Sequence, residues 1–334
     1  MPRSREGWID QIREMLERSG FYVADTRGVR PSSFDLAARR DATLLLVKVL
    51  KNIDALDAEE AHRLHELGEL FPAIVLVIGR TSGAAALDAG VVYTRYGVPI
   101  ITEETLQEYL EKALPPFLYA SPGGTFARID GARLHLLRLQ HQLSLGTLAS
   151  IAGVSRRAIQ LYEEGAGAEA SVIDRIEAYL EEPIVRPIDL FEVLPRRAAS
   201  PPAPEGTPPS DRAKDPRPTE RPPRPTGDPL RDGVVEQLDG MGLEVVVTMR
   251  APFDALARTP EILLAAVGSM RSALHRAEVL HGLARVSEGH AMFVVRERVH
   301  RPSIAGLPIL NVTELRRHRD RNELLTEISE REGP

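Results

Sequence analysis

A proline-rich segment in the middle of the chain most constrains how it can fold. From Pro195 to Pro229 the sequence reads "PRRAASPPAPEGTPPSDRAKDPRPTERPPRPTGDP" and contains no large apolar residue. Because such a segment cannot bury a hydrophobic core, residues 195–230 are predicted to form an extended, disordered linker. The linker separates an N-terminal part, up to residue 194, from a C-terminal part over residues 231–334. A chain of 334 residues has room for two or three domains of ordinary size.

The composition excludes several classes of protein. Because the sequence has no cysteine, disulfides, thiolate nucleophiles and zinc sites built on sulfur are impossible. No apolar run approaches the ~20 residues that span a bilayer, and the start "MPRSREGWID" lacks the apolar core of a signal peptide. The sequence therefore predicts a cytoplasmic protein without a membrane partner. The net charge is −6, so any contact with nucleic acid must come from a local basic patch.

Residues 1–120 have the pattern of an α/β domain. Short β-rich runs such as "LLLVKV" and "AIVLVIG" alternate with helical patterns, which is typical of this fold class. Helices are predicted over 8–19, 58–70 and 103–113, and strands over 21–24, 34–38, 43–50, 74–78 and 91–93.

Three segments of the N-terminal domain return in the same order after the linker. The first pair of similar segments is "MLERSGFYV" and "QLDGMGLEV", the second is "FDLAARRDATLLL" and "FDALARTPEILLA", and the third is "GVPIITEETLQEYL" and "GLPILNVTELRRHR". The order indicates that residues 231–334 form a second α/β domain that is a degenerate repeat of the first. The alternative stays open, since any two α/β domains look alike in short windows.

Residues 121–194 carry the most specific motif, "LSLGTLASIAGVSRRAIQLYEEG". A first helix directs Leu134, Leu137 and Leu139 toward a core and ends near Gln142. Ser144 is predicted to cap a second helix that runs through Ala152, and Ser155 a third that ends near Glu164. Gly153 between them permits a positive φ. Two short helices joined by a glycine-containing turn form a helix-turn-helix, so the chain combines α/β and all-α parts.

This motif resembles the helix-turn-helix of Cro and the phage repressors. In that family the helix after the turn enters the major groove, with its N-terminal residues against the base edges. The resemblance implies DNA contacts from six residues, namely Ser144, Thr147, Ser155, Arg156, Arg157 and Gln160. Family members often place a glutamine directly after the position of Ser144, where it contacts a phosphate, whereas this chain has Leu145. The alternative is a helix-turn-helix used only for protein contacts.

The first 194 residues contain the motifs "RPSSFDLAARRD", "VLKNID" and "YASPGG", which lead into the helix-turn-helix. With these motifs the segment is similar to a family of archaeal transcriptional regulators. The order helix, strand, strand, strand, helix, strand in the first domain resembles the PD-(D/E)XK nuclease fold. By the second likeness Asp35 would bind metal and Lys48 would stand near the attacking water. The position of the glutamate is Leu46, which cannot ligate a hard cation. A displaced carboxylate would have to come from Glu59, Glu60 or Glu6.

The second copy gives a further test of this site. Aligning Phe34 with Phe253 places Val267 opposite Lys48, while Asp254 still matches Asp35. We therefore expect Asp35 and Lys48 to be degenerate nuclease-like positions, with Asp35 pairing with Arg39, Arg40 or Lys48. No catalytic residue, metal site or cofactor is predicted, since the histidines are dispersed and "SPGGTF" is a turn rather than a phosphate-binding loop.

Together these features predict a sequence-specific regulator of transcription that binds double-stranded DNA and is not an enzyme. A single recognition helix favours a homodimer on a palindromic site. The α/β copies would pair either between chains or within one chain. Two other functions stay open: a magnesium-dependent nuclease targeted by the helix-turn-helix, and a protein-interaction scaffold. The sequence does not determine the operator, the direction of regulation or a small-molecule effector.

Overall fold

The computed structural model describes residues 4–29, 32–191, 227–248, 250–258 and 261–332. Residues 195–226 of the predicted linker lie outside the described residues, and residues 227–230 lie within them. Its last residues already begin a helix, because the Asp228 side chain accepts a hydrogen bond from the Leu230 amide and Pro229 suits a first helical turn.

Eleven α-helices and sixteen strands form within the described residues. The helices are α1 (Arg5–Arg18), α2 (Ala58–Leu70), α3 (Glu103–Lys112), α4 (Gly131–Gln140), α5 (Leu145–Ala152), α6 (Arg156–Glu163), α7 (Ala170–Leu180), α8 (Pro229–Gly240), α9 (Met270–Ser287), α10 (Val312–Leu315) and α11 (Arg321–Arg331). The first eight strands are β1 (Tyr22–Asp25), β2 (Leu36–Arg40), β3 (Thr43–Asn52), β4 (Ile74–Ser82), β5 (Ala85–Ala86), β6 (Val91–Arg95), β7 (Val98–Ile101) and β8 (Leu118–Ser121). The other eight are β9 (Gly124–Arg128), β10 (Gly167–Glu169), β11 (Glu244–Val247), β12 (Ala255–Arg258), β13 (Ile262–Gly268), β14 (His290–Val295), β15 (Ser303–Ile304) and β16 (Leu307–Asn311).

All eight elements predicted for the N-terminal domain are present, and most of their ends agree within about three residues. The agreement is best where a side chain fixes the end of a helix. Thr102 caps α3 by accepting a hydrogen bond from the Thr105 amide, and α2 occupies the predicted range. Five short strands of the first 194 residues were not predicted, namely β5, β7, β8, β9 and β10, because each is too short to show a clear period of its own.

The described residues form two compact units. The first unit is drawn from Met1–Ser19, Val49–Ala61 and Val75–Glu192. Its strands follow the order β4-β7-β6-β8-β9-β10, with β5 beside β4. Strands β4 and β7 are parallel, β6 and β7 antiparallel, and β6 and β8 parallel. Helices α4 to α7 belong to this unit, and β8, β9 and β10 join them to its sheet.

The second unit is drawn from Gly20–Lys48, His62–Ile74 and Val193–Pro334. It contains the antiparallel meander β1-β2-β3 up to Lys48 and a six-stranded sheet in the order β11-β12-β13-β14-β16-β15. Helix α9 connects β13 to β14 in the parallel crossover, and its side chains pack on both strands. A core that includes Leu238, Met292 and Ile328 fills the space between this sheet and helices α8 and α11.

No helix within the described ranges is long and apolar enough to cross a membrane.

Candidate nucleic-acid interface

Helices α4 to α7 pack around one small hydrophobic core. Leu134 of α4, Leu148 of α5, Ile159 of α6 and Ile176 of α7 are each fully buried in it. Leu139 was also predicted to face this core, and that prediction was wrong. Leu139 is 53% exposed, because residues 134 and 137 face the core and position 139 lies on the other side of the helix.

The turn between α5 and α6 has the predicted form. Gly153 has a φ of +70° and ends α5, and Ser155 caps α6 by accepting a hydrogen bond from the Ala158 amide at 3.1 Å. Arg175 of α7 secures this turn, since its Nε donates to the carbonyl oxygen of Ala152 at 2.9 Å. The orientation of α6 relative to α5 is therefore held from a third helix.

A buried ion pair fixes the far end of α6. The guanidinium of Arg138 on α4 donates through Nε to Oε1 of Glu163 at 2.5 Å and through Nη1 to the Leu143 carbonyl at 3.0 Å. His135 Nδ1 lies 2.9 Å from the other oxygen of Glu163. Burial by itself would raise the pKa of the Glu163 carboxyl, but the hydrogen bonds and charges of Arg138 and His135 outweigh it, and the pKa is lowered. The hydrogen bond to Glu163 raises the pKa of Arg138.

This ion pair was missed by the sequence reading. The only signal was Glu163 itself, within the quoted "YEEG", because nothing in the sequence joins it to a residue of α4 twenty-five positions earlier.

The outer face of α6 is exposed at its N-terminal end. The side chains of Ser155, Arg156, Arg157 and Gln160 all lie in solvent, whereas Ile159 on the opposite face is buried. Arg157 Nη1 and Gln160 Oε1 are 3.5 Å apart, at the long limit of a hydrogen bond, so these two side chains lie side by side one turn apart. The structure thus brings four of the six predicted residues onto one exposed surface.

The remaining two predicted residues lie at the start of α5. Ser144 Oγ accepts a hydrogen bond from the Thr147 amide at 3.0 Å and lies 2.9 Å from the Thr147 hydroxyl. Like Ser155, Ser144 therefore acts first as a helix cap. A serine that accepts through its oxygen still has a hydroxyl proton to donate, so capping leaves each residue able to contact an acceptor.

Asp35 and Lys48 lie in the second unit and are both buried, at 2% and 8% exposure. Asp35 precedes Leu36 and Lys48 follows Val47, and Leu36 and Val47 are paired in the β2–β3 ladder. The Asp35 amide donates a hydrogen bond to the Val47 carbonyl at 2.8 Å. Lys48 Nζ donates to the carbonyl oxygen of Ser32 at 3.3 Å.

Two residues suggested as partners of Asp35 make other contacts. Arg39 donates to the Val286 carbonyl and pairs with Glu288, and Arg40 lies over the ring of Phe21.

Asp254, which the sequence alignment matches with Asp35, has other partners. Asp254 is buried and pairs with Arg276 of α9 at 3.1 Å and with Arg231 of α8 at 2.9 Å. Its Oδ2 also accepts a hydrogen bond from the Val267 amide at 2.8 Å. Burial lowers the pKa of Arg276, although Asp254 opposes the shift.

The structural register corrects one detail of the sequence alignment. Leu36 pairs with Val47, whereas its counterpart Ala255 pairs with Ala265, because the second hairpin is one residue shorter. If the two hairpins correspond, this register aligns Lys48 with Ala266 and not with Val267. Neither residue carries a charge, so no lysine corresponds to Lys48 in either alignment.

The donor set around Asp35 does not fit a magnesium ion. Leu46, at the position where the fold family places a glutamate, is buried at 1% exposure in the ladder opposite Ala37. An aliphatic side chain offers no oxygen ligand to a hard cation. No group of three or more histidine, aspartate or glutamate side chains is placed to hold a metal within the described part of the chain.

Comparison with known proteins extends these observations. The family model for the PD-(D/E)XK superfamily domain matches residues 5–116. A protein of Natronomonas pharaonis named "Putative HTH-type transcriptional regulatory protein" is 36% identical over 98% of this chain and 99% of its own length. Relatives with the same type of name from Methanocella arvoryzae and Thermoplasma acidophilum are 34% and 29% identical, over 98% and 99% of this chain. No solved structure matches the chain.

The similarity to these relatives runs through both α/β parts and the helix-turn-helix. Because two of them are more than 30% identical to almost the whole chain, we conclude that this chain belongs to the family of archaeal HTH-type transcriptional regulatory proteins.

Proposed function

We propose that this protein is a sequence-specific DNA-binding regulator of transcription, without enzymatic activity, that reads the major groove with α6. The observation that carries the proposal is the exposed N-terminal end of α6, where Arg156, Arg157 and Gln160 are all accessible on a helix whose Ile159 is buried in a core. Helix-turn-helix proteins place this end of the second helix against base edges. The names of the relatives, which refer to transcriptional regulation, support the same function.

Arg157 and Gln160 are the proposed base readers. An arginine fork matches guanine and a glutamine amide matches adenine, and each contact contributes about 1–3 kcal/mol of discrimination. Ser144, Thr147 and Ser155 are exposed and carry hydroxyl groups that suit phosphate oxygens, so we assign them to contacts with the DNA backbone. A regulator of this kind acts where the chromosome is, so the cytoplasmic location expected from the sequence is part of the same proposal.

We also propose the domain organisation that the sequence indicated. The α/β parts span residues 1–120 and 231–334, and the Cro-like helical domain spans 121–194, with the linker over 195–230. The second α/β part would be a duplicate of the first. In each part an antiparallel three-strand meander occurs together with a parallel pair and an antiparallel edge strand. These are β1-β2-β3 with β4, β7 and β6, and β11-β12-β13 with β14, β16 and β15.

Two matching arginines support pairing of the copies within one chain. Arg39 of β2 donates to the Val286 carbonyl at the C-terminal end of α9, at 2.6 Å. Arg258, its counterpart in β12, donates to the Glu69 carbonyl at the C-terminal end of α2, at 2.7 Å. Each copy therefore caps the crossover helix of the other with the same residue. Such reciprocity is typical of a two-fold interface.

Other contacts support the same pairing. The Arg285 guanidinium of α9 lies 4.7 Å from the ring centroid of Tyr22 in β1, and Phe71 and Phe253 meet edge to face with centroids 5.6 Å apart. If the copies pair inside the chain, a homodimer must use another surface. Leu136 and Leu139, 58% and 53% exposed on one face of α4, supply an apolar patch within the DNA-binding domain. We propose that a second copy of the chain covers it.

A second candidate function is a DNA-processing nuclease, and the match of residues 5–116 to the PD-(D/E)XK superfamily favours it. The leucine at position 46 and the absence of a three-carboxylate cluster in the described residues oppose it. A protein-interaction scaffold is the third candidate. It predicts DNA affinity no stronger than the nonspecific range of about 10⁻⁴–10⁻⁶ M.

One experiment separates these candidates. A pool of random DNA duplexes is incubated with the protein in about 150 mM salt, which suppresses binding by phosphate contacts alone, with magnesium present. Enrichment of one motif with intact DNA is the expected result, and two-fold symmetry in that motif would support the dimer. Cleaved DNA that becomes intact with Asp35→Ala would establish the nuclease instead. Neither enrichment nor cleavage would refute both and leave the scaffold.

A further inference from the structure

The guanidinium of Arg156 lies against the first turn of α5 rather than projecting freely from α6. A methyl group on Gly146, the second residue of α5, would come within 2.8 Å of Arg156 Nε and 2.9 Å of its Nη2. A side chain at position 146 would therefore displace the flexible guanidinium from this place. Arg156 is the first residue of α6, but its guanidinium lies beside the neighbouring helix α5.

Gly146 has no other evident reason to be glycine. It lies inside a helix, where glycine is less favourable than alanine, and its φ is not among the positive values found in the part of the chain that the structure describes. A residue that weakens α5 while making room for one guanidinium indicates that the position of Arg156 matters. The structure gives no hydrogen bond or ion pair to this guanidinium among the described residues. The residue as a whole is exposed.

Helix α5 also lacks a polar side chain where the phage-repressor family often has a glutamine, since Leu145 occupies that position. In helix-turn-helix complexes the first helix of the motif crosses the DNA backbone, while the N-terminal residues of the second helix meet the base edges. A guanidinium that lies on the first helix is thus placed beside phosphates. Arg157 and Gln160, one beside the other on the outer face of α6, are placed toward the bases.

We propose that the two adjacent arginines have different tasks, with Arg156 binding a backbone phosphate in place of the missing glutamine and Arg157 reading a base. This assignment rests on the proposed DNA-binding function and specifies which arginine contacts the phosphate and which contacts the base. Phosphate contacts set register and affinity for every sequence, whereas base contacts set the preference for one sequence. Gly146 is then a positioning residue, because it determines where Arg156 lies.

The test compares Arg156→Ala with Arg157→Ala, two identical changes at neighbouring exposed positions of the full chain. Binding to the selected operator duplex and to a scrambled duplex of the same length is measured by fluorescence anisotropy at several salt concentrations. Arg156→Ala should weaken both duplexes by the same factor, keep their affinity ratio within about three-fold, and reduce the slope of log affinity against log salt by about 0.9. Arg157→Ala should reduce the affinity ratio by roughly 5- to 150-fold.

Gly146→Ala provides a second route that leaves Arg156 in the chain. Alanine is favourable in a helix, so this variant should fold, but its methyl group displaces the guanidinium from α5. We expect it to weaken both duplexes, and to add less in the Arg156→Ala background than in the wild type. Full additivity of the two changes would overturn the role of Gly146.

The outcomes distinguish this inference from the function it rests on. An operator preference in the wild type, with a loss of that preference in Arg156→Ala, would leave the regulator intact and overturn the division of tasks. Unchanged affinity and salt slope in Arg156→Ala would also overturn it. Equal wild-type affinity for both duplexes would refute sequence-specific function, while the salt slope of Arg156→Ala would still test the phosphate contact. Absence of any binding would refute both.

Discussion

The ion pair between Arg138 and Glu163 should determine whether α6 is held for recognition. Replacing Glu163 with glutamine removes the negative charge but keeps the size of the side chain. The two side chains are only 10% and 14% exposed, so the Arg138 guanidinium would lose its counter-charge where water cannot fully replace it. Hydrogen bonds to charged groups contribute about 1.5–3 kcal/mol each, and the glutamine oxygen can still accept one of them. We therefore expect local destabilisation of about 2–3 kcal/mol.

Native-state hydrogen exchange of the full chain measures this change in the helical domain itself. The protected amides of α4 and α6 should exchange about 30- to 150-fold faster in Glu163→Gln. Glu164→Gln, the same change at the next and exposed position, is the matched control and should leave exchange almost unaltered.

The dependence on pH gives a second, independent check. Because the pKa of Glu163 is lowered in the folded protein, its contribution is present above its usual value of 4.5 and is lost as the pH falls through the folded value. The wild type and Glu163→Gln should therefore converge in acid. Equal exchange rates for the two proteins at pH 7 would refute the reasoning.

Three further outcomes follow from other parts of the chain. If a protease site is inserted in the linker and cleaved, the N-terminal and C-terminal fragments should still elute together in gel filtration. The double variant Arg39→Ala/Arg258→Ala should separate the fragments, because it removes both helix-capping contacts between the proposed copies. Glu332 and Glu261 together outweigh burial and raise the pKa of His290, so its stabilisation is present below pH 6.5 and lost as the pH rises through the folded value; urea unfolding of His290→Gln should lose this pH dependence. Leu136→Asp should dissociate the proposed homodimer in sedimentation, whereas Leu274→Asp, at an equally exposed leucine of α9, should not.

Local chemistry explains what the sequence could predict. Ser144, Gly153 and Ser155 act on their own neighbours through caps and a positive φ, so the ends of α5 and the start of α6 were accessible from the sequence alone. The exposed residues of α6 followed from the same boundaries, because a helix of known start has known faces.

Contacts between distant residues explain what the sequence could not predict. Arg175 fastens the α5–α6 turn from twenty-three residues away, and Arg138 reaches Glu163 across two helices. Neither residue differs in local pattern from an ordinary surface arginine. The short strand β10 also depends on pairing with β9, since three residues have no stability as an isolated strand.

The β12–β13 hairpin is one residue shorter than the β2–β3 hairpin, and this changes which residue is aligned with Lys48. The aligned residue is apolar in either case. Three residues separate Arg258 from Ile262, whereas four separate their counterparts Arg39 and Leu44. A gapless alignment therefore slips by one position along β13, which in a strand exchanges the two faces. The error was invisible in sequence because Ala266 and Val267 are both apolar.

The two buried aspartates offer the strongest physical argument about the nuclease-like fold. Asp35 has a lysine from its own sheet nearby, whereas Asp254 is neutralised by arginines from α8 and α9. A buried carboxylate needs a cation for stability wherever that cation comes from, but catalysis needs particular groups around the metal and the attacking water. If the two domains are copies, as proposed, the aspartate is kept while the cation near it differs in residue type and in the element that supplies it. That pattern meets the need of a buried charge but not the need of catalysis. It supports the proposal that the nuclease-like fold serves as a scaffold and that the exposed end of α6 contacts DNA.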